Sequence, residues 1–201
     1  SEKNKIIIIG GKTGCGKNKK LKFLNKNNYQ IIDLEGLANH RGSTFGGLGM
    51  DKQPSNEHFE NLIAEELNKL NNNRDIFIEA ESANIGKCRI PNELFKQMKL
   101  SPRIEIIMNE QLRIEELIRN YSIFSKNELK ESVIRISKRL GPQRTKRAIE
   151  SIEIEDWENV CKAVLEYYDK CYEFELEGKN NVKKIKLNNL SEENIICTLN
   201  K

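Results

Sequence analysis

The stretch Ile6-Ile-Ile-Ile9-Gly-Gly11-Lys-Thr-Gly-Cys-Gly-Lys17 decides how the rest of the chain is read. Four consecutive β-branched residues fit a parallel strand covered on both faces. Gly10 and Gly11 end the run, and Lys17 to Leu24 shows helical spacing through Leu21 and Leu24. Between strand and helix, Gly11 to Lys17 matches the phosphate-loop (P-loop) pattern GxxxxGK. The glycines let the backbone curl so that several N–H groups point at one phosphate group. The helix N-terminus adds a favourable dipole, and Lys17 adds a mobile positive charge. Gly11, Lys12, Thr13, Gly14, Cys15, Gly16, Lys17 and Asn18 are therefore the candidate phosphate-binding residues. An ordinary glycine turn with incidental lysines is the competing reading.

Two departures shape the expected chemistry. Asn18 stands where a hydroxyl residue normally follows the lysine and holds Mg²⁺, and an amide oxygen does this less well. The strand expected to end in a Walker-B aspartate reads Ile76-Phe-Ile-Glu79-Ala-Glu81-Ser82 and offers glutamates instead. Both weaken the case for Mg-ATP hydrolysis without touching the case for binding a di- or triphosphate. Cys15 has the surroundings of a nucleophile with a lowered pKa, although a small packing side chain is the better reading.

Working outward, Tyr29 to Leu34, Ile76 to Ile78, Ile104 to Met108 and Val182 to Leu187 read as further strands. Glu57 to Leu70 and, after Pro91, Asn92 to Met98 read as helices. The chain is mostly helical from there to Phe174, with a break at Gly141-Pro142, and Ser191 is placed to cap a final helix. Strands alternating with helices imply a three-layer α/β fold of the P-loop NTPase type, with a mainly parallel sheet. One domain over 1–201 is expected, carrying a helical lid or subdomain at about 110–176. Residues 35–55 hold five glycines and no sustained period; loops of about 20 residues inside a domain are usually functional or mobile.

Composition narrows the function classes. At 37% hydrophobic and 32% charged, the 201 residues are globular rather than disordered. No apolar run suits a membrane span and no secretory start is present, so a cytoplasmic protein without a membrane partner is expected. Five cysteines without a CxxC pair fit neither a disulfide framework nor a zinc site. His40 and His58 lack metal-ligand spacing, so no transition-metal site is expected. A net charge of +4 is too mild to prove a nucleic-acid partner. Its distribution says more: Arg135 to Arg147 holds six basic residues and no acid, while Glu150 to Glu158 holds five acids and no base. Such segregation suits nucleic-acid phosphate contacts or a lid closing over a diphosphate, against a merely solvated helical face.

Other positions are weighed by residue type. Glu35 follows the second strand at the carboxyl edge of the sheet, where open α/β sheets place ligands, and Asp33 is equally a helix cap. Arg41 can bridge phosphates, and His40 can donate a hydrogen bond or move a proton. Glu79 and Glu81 lie two apart on an extended segment and face one side, with Ser82 beside them. They could act as base, hold a metal, or raise one another's pKa. Trp157, Cys161, Val164, Tyr168 and Cys171 recur at helical spacing and read as core, as do Tyr167 and Tyr172.

With these residues in hand, the chain resembles the P-loop domain of the tRNA 2-selenouridine synthase family. The matching segments are GKTGCGK at Gly11 to Lys17, DLEGLANHRGSTFG at Asp33 to Gly46 and QPSNEHFEN at Gln53 to Asn61. IFIEAESANIG at Ile76 to Gly86, KRLGPQR at Lys138 to Arg144 and YYDKCY at Tyr167 to Tyr172 complete them. The resemblance implies two linked reactions on wobble 2-thiouridine of tRNA. The thiocarbonyl sulfur displaces pyrophosphate from geranyl diphosphate, and selenium from selenophosphate then replaces the geranylated sulfur. It assigns Lys17, Glu79 and Glu81 to catalysis. It places Glu35, His40, Arg41, Ser43, Ser82, Arg135, Lys138, Arg139, Gln143 and Arg144 at substrate and tRNA. Mg²⁺ is left open. Bacterial members carry an N-terminal rhodanese domain with an essential cysteine. With its first strand at Ile6, this chain is expected to resemble the separately encoded archaeal P-loop half and to act with a rhodanese-domain partner. A small-molecule kinase or NTPase with a helical lid, and a non-catalytic tRNA-binding module, are the alternatives.

Overall fold

A computed structural model describes residues 5–71, 73–177, 181–187 and 196; the proposed cap at Ser191 lies outside them. In chain order the first half runs β1 (Ile6–Gly11), α1 (Lys17–Lys26), β2 (Gln30–Ile32), α2 (Leu34–Leu37), α3 (Asn56–Lys69) and β3 (Ile76–Glu79). A two-strand hairpin follows, β4 (Asn84–Ile85) and β5 (Cys88–Arg89), then α4 (Asn92–Leu100) and β6 (Arg103–Met108). Five helices come next: α5 (Glu110–Tyr121), α6 (Lys126–Arg135), α7 (Ser137–Leu140), α8 (Pro142–Glu153) and α9 (Trp157–Leu176), before β7 (Val182–Leu187). The larger sheet has five strands in the order β2-β3-β1-β6-β7, all neighbours parallel. The expected α/β P-loop fold is what forms.

Alternation along the strands builds the layers. Ile8 and Ile78 join a cluster with Phe59, Ile63, Leu94 and Met98 on one face. Ile9 and Phe77 join Leu21, Leu24, Ile104 and Leu187 on the other. A third cluster lies among the later helices, where Leu129, Val133, Leu140, Ala148 and Val164 surround Phe45. Phe45 belongs to the glycine-rich loop, so burial of one aromatic ring pins that loop to the helical region.

Local chemistry moves several boundaries. The second strand stops at Ile32 because the Asp33 carboxylate caps α2, accepting the Gly36 N–H at 2.7 Å. The helix before Gly141 is two helices that meet at Ile136. Cys171 is exposed, so it leaves the buried stripe to which its spacing assigned it. Short strands of two residues, as in β4 and β5, carry no periodic signal. Among the described residues no helix is long and apolar enough to cross a membrane.

Candidate functional site

The carboxyl ends of β1 and β3 lie side by side, with Ile9 paired to Glu79, and a cleft of about 560 Å³ opens above them. Residues Lys12 to Asn18 line it, as the sequence pattern requires. Gly16 caps α1 in the left-handed conformation (φ +70°) and has no side chain with which to bond the helix. The first amides of α1 therefore keep their donors for an anion, and no acidic residue occupies that turn. Lys17 Nζ is 3.4 Å from the Gly11 carbonyl, folded back over the loop. Burial works against its charge, but the neighbouring Cys15, Glu81, Glu35 and Tyr172 groups outweigh this and raise its pKa. Cys15 is fully buried, and that burial raises its thiol pKa, so it packs and does not attack. Asn18 Nδ2 donates to Asp33 Oδ1 at 2.8 Å, and Lys22 lies 3.4 Å from the same carboxylate.

A cluster of carboxyl groups faces the loop. Glu81 and Glu35 line the cleft; Glu79 does not. Gly42, at φ +71°, lets the chain pass against them, since a Cβ there would sit 2.7 Å from Glu81 Oε2. Burial pushes the Glu81 carboxyl up to about 8; Lys17 opposes the shift and Glu35 adds to it. Glu79 is fully buried, and Oε1 accepts the Glu35 N–H at 2.6 Å. Burial first, then Asp33 and Glu35, hold Glu79 well above the usual carboxylate range. The two glutamates read together from the sequence are thus separated: Glu81 meets the cleft, while Glu79 fixes the backbone at Glu35. Among the described residues no group of three or more His, Cys, Asp or Glu side chains is arranged to hold a metal ion.

Helix α9 braces the cradle through residues whose roles the sequence did not reveal. The Tyr172 hydroxyl accepts the Gly11 N–H at 2.5 Å and the Arg103 guanidinium at 2.6 Å, and donates to Glu105 at 2.5 Å. Arg103 and Glu105 are both buried and form an ion pair at 2.9 Å. Arg113 donates to Asp169 through both terminal nitrogens, at 2.8 and 2.7 Å, and to the Thr13 carbonyl at 3.0 Å. Lys12 is held by Glu173 at 2.6 Å. Tyr172 and Asp169 lie in the quoted YYDKCY segment, where helical spacing says only that they share a helix.

The remaining candidates divide by position. Arg41, Ser43 and Ser82 line the cleft. Arg41 lies over the Tyr121 ring, 5.9 Å from its centroid, and Ser82 Oγ donates to the Asn84 carbonyl at 2.7 Å. His40 does not line it; its buried Nδ1 has no hydrogen-bond partner among the described residues, and burial with Arg135 nearby lowers its pKa. Arg135, Lys138, Arg139 and Gln143 are exposed on α6, α7 and α8, outside the cleft. Arg144 is paired with Glu166 at 2.5 Å, and Arg147 lies 3.5 Å from that carboxylate.

A parallel sheet with a glycine-rich phosphate turn at its carboxyl edge and helices braced over it defines a P-loop protein. Tertiary structure agrees: the chain superposes with TM-scores of 0.52 and 0.51 on tRNA isopentenylpyrophosphate transferases from Bacillus halodurans and Staphylococcus epidermidis. Identities are 14% and 12%, with 98% of this chain and 94% and 98% of those chains covered. Residues 4–193 match the model of the tRNA 2-selenouridine synthase AAA domain, and the chain belongs to that family. The tRNA 2-selenouridine synthase of Pseudomonas aeruginosa (strain LESB58) is 29% identical, over 88% of this chain and 55% of its own length. That of Hydrogenovibrio crunogenus is 31% identical, over 85% and 53%. The chain thus spans about half the length of these curated relatives.

Proposed function

We propose that this chain is the P-loop part of a tRNA 2-selenouridine synthase that binds tRNA and geranyl diphosphate. It S-geranylates wobble 2-thiouridine and, with a rhodanese-domain partner and selenophosphate as selenium donor, converts it to 2-selenouridine. The observation that carries this reading is the composition of the cradle. Helix amides and Lys17 face a cleft whose post-lysine residue, Asn18, is tied to Asp33 rather than offering a hydroxyl to a nucleotide-bound Mg²⁺.

In the first step the thiocarbonyl sulfur attacks C1 of the geranyl group, the C1–O bond breaks, and pyrophosphate leaves with the electron pair. The loop amides and Lys17 stabilise the charge growing on the leaving oxygens. S-alkylation makes C2–N3 a double bond, so the N3 proton must leave. Ionised Glu81 accepts it, and a group titrating near 8 is well matched to that transfer. Glu79 acts through Glu35 as a positioning residue. A Mg²⁺ entering on the diphosphate would meet Glu81 and phosphate oxygens; no step here is routed through it. Arg41, Ser43 and Ser82 meet the substrate at the rim. Arg135, Lys138, Arg139 and Gln143 track the tRNA backbone, with His40 close to Arg135. Cys15, Cys88, Cys161 and Cys171 are free thiols, in keeping with a reducing compartment such as the cytoplasm.

The test is incubation with a 2-thiouridine anticodon stem-loop and geranyl diphosphate, followed by nucleoside mass analysis. S-geranyl product is expected, and Lys17→Ala should lower its rate about 100-fold or more with the fold intact. Unchanged activity in that variant would remove the mechanism. ATP turnover on a small acceptor without tRNA affinity would replace it with a kinase.

A further inference from the structure

Beside the phosphate cleft lies a second space of different character. It is a half-open cavity of about 60 Å³ with almost no polar surface, enclosed by α5, α6, α9 and the glycine-rich loop. By the roughly 10–15 Å³ that one water needs on this measure, it has room for about four to six waters, yet it offers them few partners. Close-packed interiors seldom leave a void of this size. The cavity adjoins the cleft: Thr13, Ser43, Leu117, Tyr121 and Tyr168 line both. The Tyr168 hydroxyl accepts the Thr44 N–H at 3.1 Å, and the Tyr121 hydroxyl lies by Ser43 and Arg41. Each ring thus has its polar end engaged by the loop and stands between the two spaces. A phosphate turn beside an apolar recess fits a ligand with an anionic head and a hydrocarbon tail.

We propose that this cavity is the tail subsite of the phosphate cleft. The diphosphate lies on the Gly11–Lys17 loop, and the terminal methyl groups of a prenyl chain enter the space among Phe45, Leu129, Trp157, Val160, Cys161 and Val164. The assignment rests on the prenyl-diphosphate reading above and adds to it where the chain goes and which residues limit its length. At about 60 Å³ the void is less than half the roughly 150 Å³ of an apolar cavity that accepts benzene, so it takes the end of an isoprenoid unit and not the whole of it. The dimethyl end of the chain enters, and the remainder of a ten-carbon chain runs past Tyr121 and Tyr168.

Trp157 is the only tryptophan in the chain and lines the cavity, so its fluorescence reports occupancy. Geranyl diphosphate should change the emission, while inorganic pyrophosphate should bind with little change. Val164→Phe, which fills the cavity, should weaken geranyl diphosphate binding at least tenfold and leave pyrophosphate affinity within twofold. Cys161→Leu, at a half-buried wall position, provides the same comparison should the phenylalanine variant fail to fold. Identical Trp157 responses to the two ligands, or variants that bind geranyl diphosphate like the wild type, would overturn the assignment and mark the cavity as a packing void. If neither diphosphate binds, the phosphate reading fails by itself, and geraniol decides the cavity. A Trp157 response to geraniol that Val164→Phe abolishes upholds the apolar subsite; no response overturns it.

Discussion

Burial around Glu81 removes hydration that Lys17 only partly replaces, and its carboxyl is pushed up to about 8. An unfolded glutamate titrates near 4.5. Between these values the folded chain holds a proton that the unfolded chain has released, so this group's contribution falls as pH rises from about 4.5 to about 8. Glu81→Gln removes that dependence. It should stabilise the protein by about 1–2 kcal/mol at pH 8.5, after allowance for solvent screening, and be close to neutral at pH 4.5. Urea unfolding at the two pH values checks this; an equal effect at both would show that the carboxyl titrates normally. The same variant should lose S-geranylation about 100-fold if Glu81 is the base. Of the residue-scale features, the loop glycines, Lys17 and Asn18 were legible because their spacing is local. The separate fates of Glu79 and Glu81 were not, because burial belongs to the neighbours and not to the residue type.

At the scale of elements, α1 supplies free amides and α9 holds the loop that presents them. The Tyr172 hydroxyl joins the Gly11 N–H to the buried Arg103–Glu105 pair, so one side chain couples a helix, a phosphate turn and a central strand. Tyr172→Phe keeps the ring but leaves these buried polar groups short of a partner, which should cost about 1–3 kcal/mol of stability. Chemical denaturation measures that loss, and a change below about 0.5 kcal/mol would show the network to be dispensable. Helices and strands were largely readable, since their period acts within one or two turns. The exceptions have local causes: Asp33, already weighed as a helix cap, ends the second strand two residues early, and Ile136 divides one helix into two.

Across the whole molecule, the +4 charge is less informative than where its members are engaged. Arg144 and Arg147 are turned to Glu166, whereas Arg135, Lys138 and Arg139 present exposed charge on α6 and α7. A Lys138→Glu/Arg139→Glu variant should bind tRNA more weakly and shorten the slope of log affinity against log salt by about 2, with pyrophosphate binding unchanged. Filter binding across a salt series checks this, and an unchanged slope would move the tRNA surface elsewhere. Arg144→Ala should matter less, because its charge is already met by Glu166.

The sequence by itself determined the parallel α/β frame, the phosphate turn and the family to which the chain belongs, because each is written in residues close along the chain. Only the tertiary structure decided that α9 braces the turn, that Glu35 and Glu81 share the cleft while Glu79 lies beneath it, and that an apolar recess adjoins the phosphate site. Tyr172 stands 161 residues from Gly11, and no local period or propensity encodes a contact made only when the sheet and its helices close together.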